Sequence, residues 1–281
     1  MLSLAALHPV AQIGWTRWTV HPSTVVGLAA LAALYLWRAR AAPATGGRRS
    51  PSGGQRFAFF AGLTTIFAAL NGPLHDLSDS FLFSAHMVQH LVLTLVAPPL
   101  LIAGTPGWML RPALRRPAVA AVARWLTHPT RCFVLFNLTI AVWHLPPVYN
   151  LAIAHHPVHI VQHLTFMAAS VLMWWPVLSP LPELPRLAYP GQMLYCFLMS
   201  IPMQLVSVYI VYADRALYPA YASAPRLWGI SPMMDQQLGG LIMWIPGGLF
   251  FYGLASIVFF KWAEREGDDT ATAQVDWRPT A

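Results

Sequence analysis

Nine of the chain's eleven histidines lie between residues 75 and 163; leaving out His128, eight form a group, and five of the eight lie in or at the ends of strongly apolar segments. They are His75, His86, His90, His144, His155, His156, His159 and His163. Imidazole is unfavourable in hydrocarbon, so ionisable groups in such segments usually mark a metal, a cofactor or an ion pathway. The clustering therefore indicates a polar site within a membrane protein.

Two histidine pairs have a spacing that suits metal binding. His86 and His90 are four residues apart, as are His159 and His163. Side chains four apart project from one face of a helix, and two imidazoles so placed can bind one ion. A further imidazole and a carboxylate come from two other segments, and the carboxylate is either a ligand or an acceptor that fixes an imidazole tautomer. The predicted metal ligands are His86, His90, His144, His159, His163 and Asp235.

The residue types favour copper. Imidazole binds copper, zinc, iron and nickel, whereas a thioether favours cuprous copper. Met87 lies between the first two histidines, and Met233 and Met234 precede Asp235. The sequence therefore predicts a copper site that holds Cu(I).

Two other functions remain open at this point. One is haem binding, with His90 and His163 as axial ligands, although this leaves the other imidazoles unexplained. The other is an ion pathway, but these polar groups occupy only one half of the membrane. The chain has no His-Glu-x-x-His, Gly-x-Ser-x-Gly or phosphate-loop motif, so we do not predict an enzyme.

The amino-acid composition predicts that transmembrane helices position these side chains. Residues are 57% hydrophobic and only 10% charged, against about 25% charged in soluble domains. We predict an all-α polytopic membrane protein with seven transmembrane helices, in one domain over residues 1–266. A flexible linker is expected at about 41–55, and a disordered tail at 267–281. The predicted spans are 22–38, 57–73, 81–104, 131–147, 157–178, 191–212 and 236–260.

Basic residues predict the orientation. With seven spans, one set of loops holds fourteen of the seventeen Lys and Arg residues. Cytoplasmic loops are enriched in Lys and Arg, so the N-terminus should lie outside and the C-terminus in the cytoplasm. All eight clustered histidines then lie in the outer half. The net charge of +7 is explained by contact with the lipid bilayer, so no nucleic-acid partner is predicted.

Three segments carry a resemblance to a known family. They are FSAHMVQHLVLTLVAPPLLIAGTP (83–106), WHLPPVYNLAIAHHPVHIVQHLTFMAASVLMWWPVL (143–178) and MMDQQLGGLIMWIPGG (233–248). The chain resembles the CtaG family of cytochrome c oxidase assembly factors, of the multi-spanning bacterial type associated with caa-type oxidases. The likeness covers most of residues 57–260, and the six predicted ligands match the family's distinctive polar positions.

The resemblance implies a seven-helix protein of the bacterial plasma membrane that helps to mature haem–copper oxidase. Copper would pass from a donor on the periplasmic side to the CuB centre of oxidase subunit I. The remaining alternatives are a haem-binding electron-transfer protein and an assembly scaffold that binds no metal.

Overall fold

The computed structural model describes Trp15, residues 18–40 and residues 50–276, with side chains described through residue 266. Within these ranges the chain is all helical and contains no strand. Most of the predicted linker, residues 41–49, and the end of the predicted tail, residues 277–281, lie outside the described residues. The helices are α1 (Pro22–Arg40), α2 (Gly53–Asn71), α3 (Pro73–Ser80), α4 (Phe83–Leu91), α5 (Ala97–Gly104), α6 (Gly107–Leu114), α7 (Pro117–Leu126), α8 (Pro129–His144), α9 (Pro146–Ala154), α10 (His156–Leu178), α11 (Tyr189–Val211), α12 (Pro219–Ala222) and α13 (Pro232–Asp276).

The described helices include five that are long and apolar enough to cross a membrane, or up to seven if each of two bent pairs is one span. The five are α1, the α4–α5 unit, α10, α11 and α13, which match five of the predicted spans to within a few residues. The bent pairs are α2 with α3, at 44°, and α8 with α9, at 74°. These pairs occupy the positions of the other two predicted spans.

Prolines explain both bends. Pro73 opens α3 and Pro146 opens α9, and the residue before a proline is disfavoured in the α-helical region. Gly72 is accordingly extended at ψ −175°, and Leu145 is extended at ψ 127°. Each bend turns the chain at the end of the molecule that carries the histidines, so α3 and the end of α8 border the site.

The α4–α5 unit is interrupted by a π-helical turn, Val92–Val96. Pro98 follows this turn and has no N–H, so it cannot bond the carbonyl of Thr94 four residues earlier. The Trp174 indole N–H on α10 donates to that carbonyl instead, at 2.9 Å. The break in α4–α5 is therefore closed by a side chain of the neighbouring helix.

Helix α1 lies at the periphery, and Tyr35 is its only buried residue among those described. It is held at both ends. At its C-terminal end Tyr35 stacks on Phe59 of α2, with ring centroids 3.9 Å apart, and its hydroxyl donates to the Gly104 carbonyl at 3.1 Å. At its N-terminal end the His21 N–H donates to Asn71 Oδ1 at 2.7 Å. Between these ends, Leu28 and Ala32 pack against hydrophobic residues of α2.

Helix α13 extends to Asp276 and thus includes ten residues that the sequence predicted to be disordered. The residues that lead out of the apolar segment, Lys261–Glu266, are mostly good helix formers. Trp262 also donates to Glu266 one turn later, at 3.2 Å. Local helix propensity therefore continues the helix past its apolar part.

Candidate metal site

Five histidines of the predicted ligand set meet at one end of the helices, and all are nearly inaccessible to solvent. His86 and His90 come from α4, His144 ends α8, and His159 and His163 begin α10. Their exposed fractions are at most 8%. The i,i+4 pairs face inward as their spacing predicted, because each pair lies on the face of its helix that packs against the other.

The tightest donor group consists of Asp79, His86 and His159. One ligand atom from each residue lies within 4.8 Å of the other two. Nitrogens bound to one tetrahedral zinc-type ion, with bonds of about 2.0 Å, are about 3.3 Å apart. A small inward movement of these side chains would therefore allow all three to bind one ion.

His86 is held in the tautomer that a metal ligand needs. The Tyr221 hydroxyl donates its one proton to the Ser78 carbonyl at 2.7 Å, and burial raises the pKa of Tyr221, so the proton is retained. The hydroxyl oxygen must then accept from His86 Nδ1 at 3.3 Å. His86 Nε2 is left with a lone pair, and within the described residues it has no hydrogen-bond partner.

His144 shows the same arrangement. Its Nδ1 lies 2.7 Å from the Ile140 carbonyl, which can only accept, so Nδ1 carries the proton. Its Nε2 is a buried lone pair, unpartnered in the part of the chain that the structure describes. Metal-binding histidines typically donate their second N–H to such an acceptor.

The imidazole rings form a continuous group. The His86 ring centroid lies 4.1 Å from that of His90 and 6.0 Å from that of His159. His90 lies 5.6 Å from His163 and 6.2 Å from His144 by the same measure. Both ring nitrogens of His90 are buried without a hydrogen bond to any described residue.

Asp79 was not among the predicted ligands. It lies in α3 and is 4% exposed; its Oδ2 is 3.5 Å from His75 Nε2 and 3.7 Å from His159 Nδ1. The sequence does contain a pattern that could have indicated Asp79, because His75 and Asp79 are also four residues apart. Residues 74–80 fell in the loop between the second and third predicted spans, so the sequence placed them on the outer side but predicted no helix face for Asp79.

His75 borders the group and has a fixed tautomer of its own. The Gln89 amide donates to the Ala69 carbonyl at 2.7 Å, which orients it so that its nitrogen also faces His75 Nδ1 at 3.1 Å. His75 Nδ1 is therefore an acceptor, and the ring proton lies on Nε2. That Nε2 faces Asp79 and is also 2.8 Å from His21 Nε2. His75 is thus suited to orient Asp79.

Asp235 has a different environment from the five predicted histidines. Its Oδ2 accepts from the Phe83 N–H at 2.7 Å, and its Oδ1 accepts from the Ser84 N–H at 3.0 Å and from the Ser84 hydroxyl. These are the first N–H groups of α4, which lack partners within their own helix. Asp235 of α13 therefore caps the helix that carries His86 and His90, and its role as a ligand stays a prediction.

The methionines that suggested copper are dispersed. Met87 is fully buried and belongs to the same hydrophobic cluster as Phe83. Met234 is 54% exposed, and Met233 Sδ lies 4.0 Å from Gln236 Nε2. The choice of metal therefore depends on the imidazoles more than on thioether sulfur.

Comparison with known proteins gives the family. A family model described as the cytochrome c oxidase caa3 assembly factor, Caa3_CtaG, matches residues 33–265, which include the whole α2–α11 region and the apolar part of α13. The chain belongs to this family. This membership confirms the family that its resemblance predicted, and the long apolar helices fit a membrane protein.

More distant relatives add no function. Uncharacterized proteins of Mycobacterium bovis and Mycobacterium tuberculosis are each 25% identical to this CtaG-family chain over 203 residues, covering 66% of it and 31% of the relative. An uncharacterized Mycobacterium leprae protein is 22% identical over the same length. The chain thus spans about a third of the length of these relatives. No solved structure matches it.

Proposed function

We propose that this assembly factor binds Cu(I) at its buried histidine cluster and supplies it to the CuB centre of oxidase subunit I. The observation that carries the proposal is the convergence of Asp79, His86 and His159 within 4.8 Å. Close to them, both ring nitrogens of His90 and Nε2 of His144 are buried without a hydrogen-bond partner among the described residues. Buried polar atoms are normally paired, whereas Asp79 Oδ2 and His86 Nε2 have no hydrogen-bond partner among the described residues, which favours an ion as their partner.

Reversible binding is supported by the spread of the ligand atoms. A closed four-ligand site holds its ion tightly as a structural element. Here the ion would draw together one carboxylate and two imidazoles, with His90, His163 and His144 as neighbouring donors. A metal could move among these donors by exchanging one ligand at a time, as transfer to a partner requires.

The ring geometry favours a metal ion over haem. A haem between His90 and His163 needs a slot for a flat macrocycle between the two axial imidazoles. The His86 ring lies 4.1 Å from His90 and 6.3 Å from His163, and the His159 ring lies 4.5 Å from His163. These rings fill the space that the macrocycle would need.

The proposed setting follows from the charge distribution of the sequence. Arginine-rich loops are typical of the cytoplasmic side, which supports an orientation with the histidine end of the helices in the outer half of the bacterial plasma membrane. Copper would arrive from a donor on the outer side. It would leave sideways, within the membrane, toward subunit I.

Copper content of the purified protein tests the binding step. Under reducing conditions we expect the wild type to bind copper and the double variant His86→Ala/His159→Ala to lose it, because two of the three converging ligands are gone. His128→Ala, which removes an exposed imidazole outside the cluster, is the matched control and should bind as the wild type does. Equal copper in the wild type and the double variant would contradict the proposed site. A purified protein that contains zinc and no copper would contradict the choice of metal, and a Soret band in its visible spectrum would favour haem.

The oxidase of cells that lack the protein tests the delivery step. We expect subunit I in these cells to retain its haem groups and to lack copper at CuB, because the proposed role is to supply copper and not haem. Metal analysis and visible spectra of the purified oxidase measure both. Restoring the wild type or His128→Ala should restore copper, whereas His86→Ala/His159→Ala should not. A normal CuB content without the protein would exclude delivery.

A further inference from the structure

A cleft with a volume of about 600 Å³ runs between α1 and α10, with α2 and α5 behind it. Its walls are apolar over most of their length and include Leu28, Leu70, Leu101 and Met167. One end is polar, where Asp79 and His159 of the metal-site group also line it. The cleft thus connects the proposed copper site with the lipid-facing side of the helices.

The cleft exists because α1 packs against α2 and leaves a gap on its side toward α10. Gly27 lies in this gap, and a Cβ atom built there would meet no described atom within 4 Å. Leu31 of α1 and Leu164 of α10 line the cleft and are 45% and 56% exposed. A lipid-soluble molecule could therefore enter between these two helices.

The dimensions fit a single hydrocarbon chain. The lining residues of α10 run from His156 to Val171, which is about 22 Å along a helix axis. A volume of about 600 Å³ over that length gives a mean cross-section of about 27 Å². A chain whose carbons contact their neighbours at about 4 Å occupies on the order of 20 Å². The cleft therefore matches the width of one hydrocarbon chain.

The polar end of the cleft restricts the kind of headgroup that a ligand bound there can carry. Asp79 is 4% exposed, and its Oδ2 accepts no hydrogen bond from any described residue. A second carboxylate or a phosphate placed beside this buried carboxylate would be repelled. An uncharged group with a hydroxyl donor would give Asp79 its missing hydrogen bond, and the adjacent imidazoles provide acceptors or donors for a second oxygen.

We infer that the cleft binds a single-chain, uncharged amphiphile of the quinol type, with its apolar chain between α1 and α10 and a ring hydroxyl donating to Asp79. Pockets for small molecules are typically mostly apolar, with a few convergent polar groups, as this one is. The binding needs no metal and thus goes beyond the proposed copper function. It would place a membrane-soluble hydroxylated ring beside His159.

Binding of decyl-benzoquinol to the full chain in lipid nanodiscs tests the inference. We expect saturable binding to the wild type and at least about tenfold weaker binding to Gly27→Phe, because the aromatic side chain fills the cleft. Gly253→Phe is the matched control, since a Cβ atom at Gly253 of α13 also meets no described atom within 4 Å. It should bind as the wild type does.

Two further probes with the same chain length test the headgroup. Decanoate should bind at least about tenfold more weakly than the quinol, because of the Asp79 carboxylate, and the oxidised decyl-benzoquinone should also bind more weakly because it has no hydroxyl donor. Equal binding of all three probes, or equal binding to both phenylalanine variants, would overturn the inference.

Copper bound by Gly27→Phe should equal the wild-type value. Quinol binding without copper would refute the proposed copper function alone, and copper without quinol would refute this inference alone.

Discussion

Replacing Asp79 with Asn should weaken Cu(I) binding by about ten- to a hundredfold, the range typical when a group that binds or orients a metal ligand is lost. Asparagine keeps the size of the side chain and removes its charge. The change therefore removes the one anionic donor among the three converging residues. Competition with a chromophoric Cu(I) chelator measures the affinity.

Asp76→Asn is the matched control for this substitution. Asp76 lies in the same helix and is 2% exposed, but its Oδ1 accepts from the Thr19 hydroxyl at 2.9 Å and it does not belong to the converging group. We expect its Cu(I) affinity to stay close to that of the wild type. If both variants lose affinity equally, the effect comes from α3 as a whole, and Asp79 has no specific role.

Replacing Asp235 with Ala should lower the free energy of unfolding by about 1–3 kcal/mol for each buried donor that loses its acceptor. The carboxylate is fully buried and satisfies three donors at the start of α4. Alanine leaves those donors without an acceptor. Thermal unfolding in detergent measures the loss, with exposed Asp214→Ala as the control expected to unfold like the wild type.

Copper content of the same variant separates the two roles of Asp235. If the carboxylate only caps α4, the fraction that remains folded should bind as much copper per chain as the wild type. If it is also a ligand, as the sequence predicted, copper per folded chain should fall as well. An Asp235→Ala protein with wild-type stability would contradict the capping role.

The positions of His86, His90, His159 and His163 were predictable because helix periodicity is a local property. A spacing of four residues places two side chains on one face, whatever the rest of the fold does. Strongly apolar flanks then indicate that this face is inside a membrane protein. The structure brings the two pairs together, with rings of the different helices 5.6 to 6.3 Å apart.

Asp79 and Asp235 could not be distinguished in the same way. Which carboxylate reaches the imidazoles depends on the 44° bend between α2 and α3 and on how α13 packs against the start of α4. Prolines at positions 73 and 146 predict that the helices break there. They do not predict the angle, which is determined by contacts between segments that are distant in sequence.

Trp174 fixes the relative height of the two helices that carry the paired imidazoles. Its indole belongs to α10, below His159 and His163, and the carbonyl that it reaches belongs to the helix of His86 and His90. If one helix slid along the other, that carbonyl would face hydrocarbon with no donor, at a cost of several kcal/mol. The vertical alignment of the histidines is therefore set at a contact about one turn beyond His90 and about three turns beyond His163, by a proline that cannot donate and a tryptophan that can.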